Sequence, residues 1–249
     1  MTIYAFKKPP ERVETLEEHI KNGIHFIRNF YIAKKYHLFV RHRLEKFGYN
    51  YSDGEVVNSI LTAYAYHDIG KACKKLQEKI RIGGGAPGHE ILSAVILYKH
   101  LREVEKITPI TRGIILAISL HMGALRRLNE SLNEAVKHLS PLPKEAIIEF
   151  NRILDDCWPK DLFVPKLAER DMNLTLKDLH LLIEEVEDYV FLRLVGDVVG
   201  KAAVIMAAYL FLHPVITADE YAVCKSQGKE PRSWVLEFLR SKCAVFTVL

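Results

Sequence analysis

The dipeptide His67-Asp68 follows an apolar run and continues as Ile69-Gly70-Lys71. An imidazole beside a carboxylate can bind a divalent metal ion, and a lysine close by can bind a phosphate group. These residue types therefore indicate metal-dependent phosphoester hydrolysis. Taken alone, the dipeptide is weak support for that chemistry, because a buried histidine beside a helix-capping aspartate is also common.

Further metal-capable residues occur in apolar or glycine-rich contexts along the chain, namely His19, His89, His121 and Asp197. His19 falls on the inward face of the first predicted helix, His89 follows the glycine-rich segment 83–88, and His121 ends an apolar helix. Asp197 lies in an apolar helical run with basic residues four positions away on each side. Each residue has a structural alternative, as a hydrogen-bonded core histidine, a helix cap or a surface ion pair.

The composition fits one large globular domain over residues 1–249. The chain has 249 residues, of which 49% are hydrophobic, and a formal net charge of +4. The four cysteines form no CxxC pair, which argues against a zinc knuckle and a disulfide framework. The longest apolar stretch, 198–212, is too short to cross a bilayer, and the N-terminus lacks a signal-peptide pattern. We therefore expect a cytoplasmic protein with no membrane association.

Helical periodicity extends through almost the whole sequence and predicts an all-α fold. Capping boxes at Thr15–Glu18 and Ser52–Glu55 each begin a predicted helix, and others are predicted over 32–47, 89–105, 109–121 and 141–154. A long run that begins at Thr175 is expected to divide near Gly196 and Gly200 and to end at His213-Pro214. Two strand-prone segments, 2–6 and 244–249, are expected to pair as a small β-ribbon.

The ordered set of motifs resembles the HD phosphohydrolase superfamily, and within it the stand-alone archaeal HD nuclease of CRISPR type I interference. The motifs that carry this resemblance are Leu16-Glu-Glu-His19, His67-Asp68-Ile-Gly-Lys71, Gly88-His89-Glu90, Ile118-Ser-Leu-His121-Met-Gly123 and Gly196-Asp197. The likeness covers about residues 14–205, and 206–249 form an unmatched C-terminal extension. It implies an HD-domain helical bundle.

The resemblance also implies two overlapping metal sites for divalent ions such as Mn²⁺, Mg²⁺ or Ni²⁺. The first would comprise His19, His67, Asp68 and Asp197, and the second Asp68, His89 and His121. The family usually has paired histidines where this chain has His121-Met122, and a thioether is a poor ligand for Mn²⁺ or Mg²⁺. Asp68 and Lys71 are the predicted catalytic residues, with Lys71 binding the phosphate.

Basic residues flank both ends of the predicted metal centre. Lys74 and Lys75 follow His67-Asp68, and Arg126 and Arg127 follow His121. Such clusters suit a nucleic-acid backbone, although solvated helix faces explain most charge runs. Together with these clusters, the resemblance implies a nuclease, endonucleolytic or exonucleolytic, that cuts single-stranded DNA. The sequence has no Walker A motif, so the expected partners are a separate CRISPR helicase subunit and an RNA-guided effector complex.

Two other functions are compatible with the same residues. An HD-type nucleotidase or cyclic-nucleotide phosphodiesterase would use the same ligands in a small closed pocket. An effector-complex scaffold subunit would keep the fold with impaired metal binding, which Met122 makes conceivable.

Overall fold

The computed structural model describes residues 2–8, 12–104, 106–122, 128–190, 197–226 and 228. Within these ranges the chain is helical apart from one small antiparallel sheet, so the predicted all-α class is confirmed. The elements, in chain order, are β1 (Tyr4–Lys8), β2 (Arg12–Thr15), α1 (Leu16–Ile27), a π-helical turn (Arg28–Ile32), α2 (Tyr36–Glu45), α3 (Asp53–Tyr66), a 3₁₀ turn (Ile69–Ala72), α4 (Lys74–Arg81), α5 (His89–Glu103), α6 (Pro109–Leu120), α7 (Leu128–His138), α8 (Lys144–Cys157), α9 (Leu176–Val190) and α10 (Val198–Ser226).

Local hydrogen bonds cap α1 and α3 at the capping boxes that the sequence predicted. The Thr15 hydroxyl accepts from the Glu18 amide at 3.1 Å, and the Glu18 carboxylate accepts from the Thr15 amide at 3.0 Å. Ser52 and Glu55 form the same reciprocal box at the start of α3. These contacts satisfy backbone donors that have no partner within the helix. The starts of α1 and α3 are therefore fixed by short-range sequence.

The β-ribbon has a different second strand from the one predicted. β1 pairs with β2, with Tyr4 opposite Thr15, whereas the predicted partner, 244–249, lies outside the described residues. The Gln77 side chain accepts from the Tyr4 amide at 3.1 Å and donates to the carbonyl oxygens of Tyr4 and Lys71, both at 2.8 Å. Gln77 thereby fixes the ribbon to the 3₁₀ turn that follows His67-Asp68.

Helix α10 continues through Pro214, where the sequence predicted a helix end. Proline has no amide hydrogen to donate to the carbonyl four residues earlier. That carbonyl, of Leu210, instead accepts from the Tyr36 hydroxyl at 2.8 Å. The hydrogen bond that the proline removes is therefore replaced from α2, and the helix runs on to Ser226. Gly200, a predicted point of division, lies within α10, and Gly196, the other, lies outside the described residues.

Helix α10 packs on the hydrophobic core along one face. At 29 residues it is long and apolar enough, by length and composition, to cross a membrane. It packs against α6, α1 and α3, however, and its buried residues, among them Ala207, Phe211 and Val215, recur at intervals of three and four along the helix. Residues with that spacing share one side of a helix. Burial of this side accounts for part of the apolar composition of α10.

Candidate metal centre

The histidines that the sequence singled out share one arrangement. Each points Nδ1 at an oxygen and Nε2 toward the buried carboxylate of Asp68, and the Nε2 atoms of His19 and His67 also lie near the partly exposed Asp219. The oxygens are Glu14 Oε1 for His19 at 3.0 Å, the Tyr64 carbonyl for His67, the Ala86 carbonyl for His89 at 2.6 Å and the Ile118 carbonyl for His121 at 2.7 Å. A carbonyl or carboxylate oxygen can only accept, so Nδ1 carries the proton. In the neutral rings, Nε2 therefore offers a lone pair to the centre of the site.

The first donor set combines His19, His67, Asp68 and Asp219. His19 Nε2 lies 3.3 Å from His67 Nε2, 3.4 Å from Asp68 Oδ2 and 3.3 Å from Asp219 Oδ1. Atoms that share one ion at about 2.1 Å are separated by about 3.0–3.4 Å. The side chains thus already hold the spacing that a single divalent ion requires.

The second donor set combines Asp68, His89 and His121. Asp68 Oδ1 lies 2.9 Å from His89 Nε2 and 3.9 Å from His121 Nε2. Neither Nε2 atom has a hydrogen-bond partner, because with the proton on Nδ1 both Nε2 and the carboxylate oxygen are acceptors. Buried polar atoms without partners are costly. A cation between these lone pairs and the carboxylate would satisfy all of them, so the donor set fits a divalent metal ion.

Two close helix contacts bring the ligands together. At Gly23, an added Cβ would fall 1.9 Å from the Tyr64 hydroxyl, which donates to the His19 carbonyl at 2.9 Å. Absence of a side chain at Gly23 lets α1 approach α3, and so brings His19 to His67. At Gly70, an added Cβ would lie 2.2 Å from the His89 carbonyl, so the 3₁₀ turn can press against the start of α5. That contact brings Asp68 to His89.

Charge at the centre favours ionised carboxylates. Burial raises the pKa of Asp68, but the positive charges of Lys71 and the neighbouring histidines outweigh it and hold that pKa well below its usual range. Burial disfavours the charged His19 ring, yet hydrogen bonds to Asp219 and Glu14 raise its pKa to about 10. Burial, together with the charges of the other histidines, lowers the pKa of His121 to about 3. Without an ion, a proton on His19 therefore supplies part of the positive charge that the carboxylates attract.

An open cleft of about 550 Å³ leads to this centre. Its walls include His19, His89, Asp219 and Lys71, with Phe6 from the β-ribbon and the half-exposed Met122. Lys71 Nζ lies 2.5 Å from Asp68 Oδ2, so the lysine is paired with the shared carboxylate and also borders the cleft. Its ammonium thus lies beside a candidate metal ligand, and its catalytic role stays a prediction.

Asp197 does not join the cluster. It is exposed, and its Oδ1 accepts from the Gly200 amide at 2.9 Å, as the N-cap of α10. Asp219 occupies the place in the first donor set that was predicted for Asp197. It lies in α10, 22 positions after Asp197. At 1.5 Å per residue, these two aspartates are roughly 33 Å apart along the axis, so they cannot bind one ion. The prediction placed Asp219 beyond the helix end because it ended the helix at Pro214.

Two of the predicted basic residues, Lys74 and Lys75, lie outside the lining of the cleft. Lys74 and Lys75 are exposed at the start of α4, where their amides donate to the Pro141 carbonyl and the Ser140 hydroxyl, and they are not among the residues that line the cleft. Arg126 and Arg127 lie outside the described residues. The structure thus brings five of the six predicted metal ligands together and leaves the nucleic-acid contacts as a prediction.

Comparison with known proteins identifies the fold. No protein-family model matches the chain, and no curated protein matches it. Among solved structures, it is similar to the CRISPR-associated Cas3 HD domain protein from Methanocaldococcus jannaschii, with a TM-score of 0.54 and 17% identity. The match covers 81% of this chain and 95% of that one. The fold is that of an HD domain. The resemblance drawn from the sequence is therefore confirmed at the level of the fold, and the buried histidines and aspartates lie inside that HD fold.

Proposed function

We propose that this protein is a metal-dependent HD nuclease that hydrolyses phosphodiester bonds of single-stranded DNA in CRISPR antiviral interference. The observation that carries the proposal is the pair of donor sets that share Asp68 at the foot of an open cleft. Imidazole and carboxylate ligands suit Mn²⁺, Ni²⁺ or Mg²⁺. Partners of the proposed nuclease are DNA, a separate helicase subunit and an RNA-guided effector complex, and its proposed location is the cytoplasm.

Each part of the site has a distinct role in this proposal. A bound divalent ion supplies Lewis-acid activation of a phosphoryl oxygen and lowers the pKa of water. His19, His67 and Asp219 would hold the first ion position, and His89 and His121 would hold the second. Asp68 belongs to both donor sets, so its loss would remove the whole centre. Lys71, which borders the cleft beside Asp68, would bind a non-bridging phosphate oxygen.

The exposed cleft supports a polymeric substrate, because an open wall lets a chain pass across the metal centre. The similarity to a protein described as a CRISPR-associated Cas3 HD domain supports the biological context.

Charge around the cleft favours a second candidate, a nucleotidase or small phosphodiesterase. Glu14, Glu90, Glu130 and Glu134 all line the cleft, whereas Lys71 is the one Lys or Arg among the lining residues in the described part of the chain. Such a rim repels a long polyanion more than a single nucleotide.

A substrate panel separates these functions. Protein freed of metal by chelation and dialysis is loaded with Mn²⁺ or Ni²⁺ and given labelled single-stranded DNA, RNA, nucleoside monophosphates, 2′,3′-cyclic nucleotides and 3′,5′-cyclic nucleotides. We expect cleavage of DNA that depends on the added ion and is lost in Asp68→Asn. Turnover of mononucleotides alone would support the nucleotidase. Binding of ions without turnover of any substrate would support a scaffold subunit.

A further inference from the structure

One histidine of the metal centre, His19, has a carboxylate as the hydrogen-bond partner of Nδ1, that of Glu14 at 3.0 Å. The Nδ1 atoms of His67, His89 and His121 are hydrogen-bonded to backbone carbonyls, and the Glu90 carboxylate lies further from His89 Nδ1, at 3.4 Å. Glu14 is 3% exposed and belongs to strand β2. A buried carboxylate that accepts from a ligating imidazole fixes the ring and makes it a stronger donor than a neutral acceptor does.

The position of Glu14 is itself fixed from both sides. Thr15, the next residue, caps α1 through its hydroxyl, and the Leu16 amide donates to the Ile3 carbonyl at 2.9 Å. Gln77 ties the opposite strand to the carbonyl of Lys71. The carboxylate therefore reaches His19 from a rigid ribbon rather than from a free loop.

We propose that Glu14 is a positioning residue of the metal centre, and that the N-terminal β-ribbon is thereby part of the first ion position. Its carboxylate orients His19, so that Nε2 faces His67, Asp68 and Asp219. The second donor set, of Asp68, His89 and His121, does not contain His19. Loss of Glu14 should therefore weaken the first ion position and spare the second.

This inference rests on the proposed metal-dependent function, so its test measures ion binding rather than hydrolysis. Mn²⁺ alone is titrated into the full-length metal-free chain, and free Mn²⁺ is followed by electron paramagnetic resonance. The variants are Glu14→Ala, its isostere Glu14→Gln, and Val13→Gln as the matched control. Val13 is the preceding residue of the same strand and is half exposed, so its side chain points to the opposite face of the ribbon.

We expect Glu14→Ala to weaken the first ion position by about 10- to 100-fold, the usual cost of losing an outer-shell partner. Glu14→Gln retains an acceptor oxygen and should show an intermediate loss, and Val13→Gln should bind as the wild type does. The second position should stay within about threefold of the wild type in all variants, which also shows that they are folded.

Three results have different meanings. If both Glu14 variants bind the first ion within about twofold of the wild type, Glu14 has no positioning role and the inference is overturned. If Glu14→Ala loses both ion positions through misfolding, that variant does not report on Glu14. The isosteric Glu14→Gln then decides whether the Glu14 carboxylate positions His19. If the wild-type chain binds no Mn²⁺, Ni²⁺ or Mg²⁺ at all, the proposed metal-dependent function fails instead, and the role of Glu14 fails with it.

Discussion

Substitution of the two aspartates of α10 distinguishes the ligand that the sequence predicted from the one that the fold supplies. Asp197→Asn and Asp219→Asn make the same chemical change in the same helix, at positions roughly 33 Å apart along its axis. Asp219 Oδ1 lies 3.3 Å from His19 Nε2 and 3.7 Å from His67 Nε2. Asp197 instead caps the helix start.

The expected magnitudes differ accordingly. Asparagine caps helices about as well as aspartate, so Asp197→Asn should change neither ion binding nor stability by a measurable amount. Asp197→Ala loses the cap and should cost about 1 kcal/mol, which lowers the melting temperature by about 2–4 °C in a chain of this size. Asp219→Asn removes a first-position ligand and should weaken ion binding by more than the roughly 10- to 100-fold that an outer-shell partner costs.

Mn²⁺ titration and hydrolysis of labelled single-stranded DNA measure the first effect, and thermal unfolding in chelator measures the second. Far-ultraviolet circular dichroism checks that Asp219→Asn remains folded. The reasoning would be refuted if Asp197→Asn lost the ion while Asp219→Asn kept it. That result would mean that α10 does not continue through Pro214 in solution.

Further predictions concern pH, packing and substrate contacts. The pKa of His19 is raised to about 10 from a usual 6.5, so ion binding at pH 8 should release about one proton, measured by calorimetry in buffers of different ionisation heat. With the folded pKa above the unfolded one, the stabilising effect of this proton is complete below pH 6.5 and is lost as pH rises toward 10, so urea unfolding in chelator should show falling stability over that window. Tyr36→Phe leaves the Leu210 carbonyl without its donor and should cost about 1–3 kcal/mol in the free energy of unfolding; an unchanged urea midpoint would contradict the role of Tyr36 at Pro214. If Lys74 and Lys75 bind phosphates, replacing both with alanine should reduce the slope of log affinity for single-stranded DNA against log salt by about 1.4, and an unchanged slope would remove them from the interface.

Local signals in the sequence were sufficient for the helices and for most of the donor residues. Capping boxes at Thr15 and Ser52 act over three residues, so their outcome does not depend on the rest of the fold. His67-Asp68 ends α3 at a turn, and its prediction as a ligand pair came from residue type and from the resemblance, which is confirmed at the level of the fold. His19, His89 and His121 were likewise recognised from their ordered contexts, before their common centre was known.

The last carboxylate was decided by tertiary structure alone. Pro214 ends a helix in most sequences, because it removes a hydrogen bond and its ring collides with the preceding turn. Here the Leu210 carbonyl is satisfied by Tyr36, a residue 174 positions from it in the chain, and no local pattern can report such a contact. The sequence by itself thus determined which residue types form the centre and which helices carry them. Only the packing of α2 against α10 decided that the helix continues and that Asp219, rather than Asp197, reaches His19, because a long-range hydrogen bond compensates for a local break.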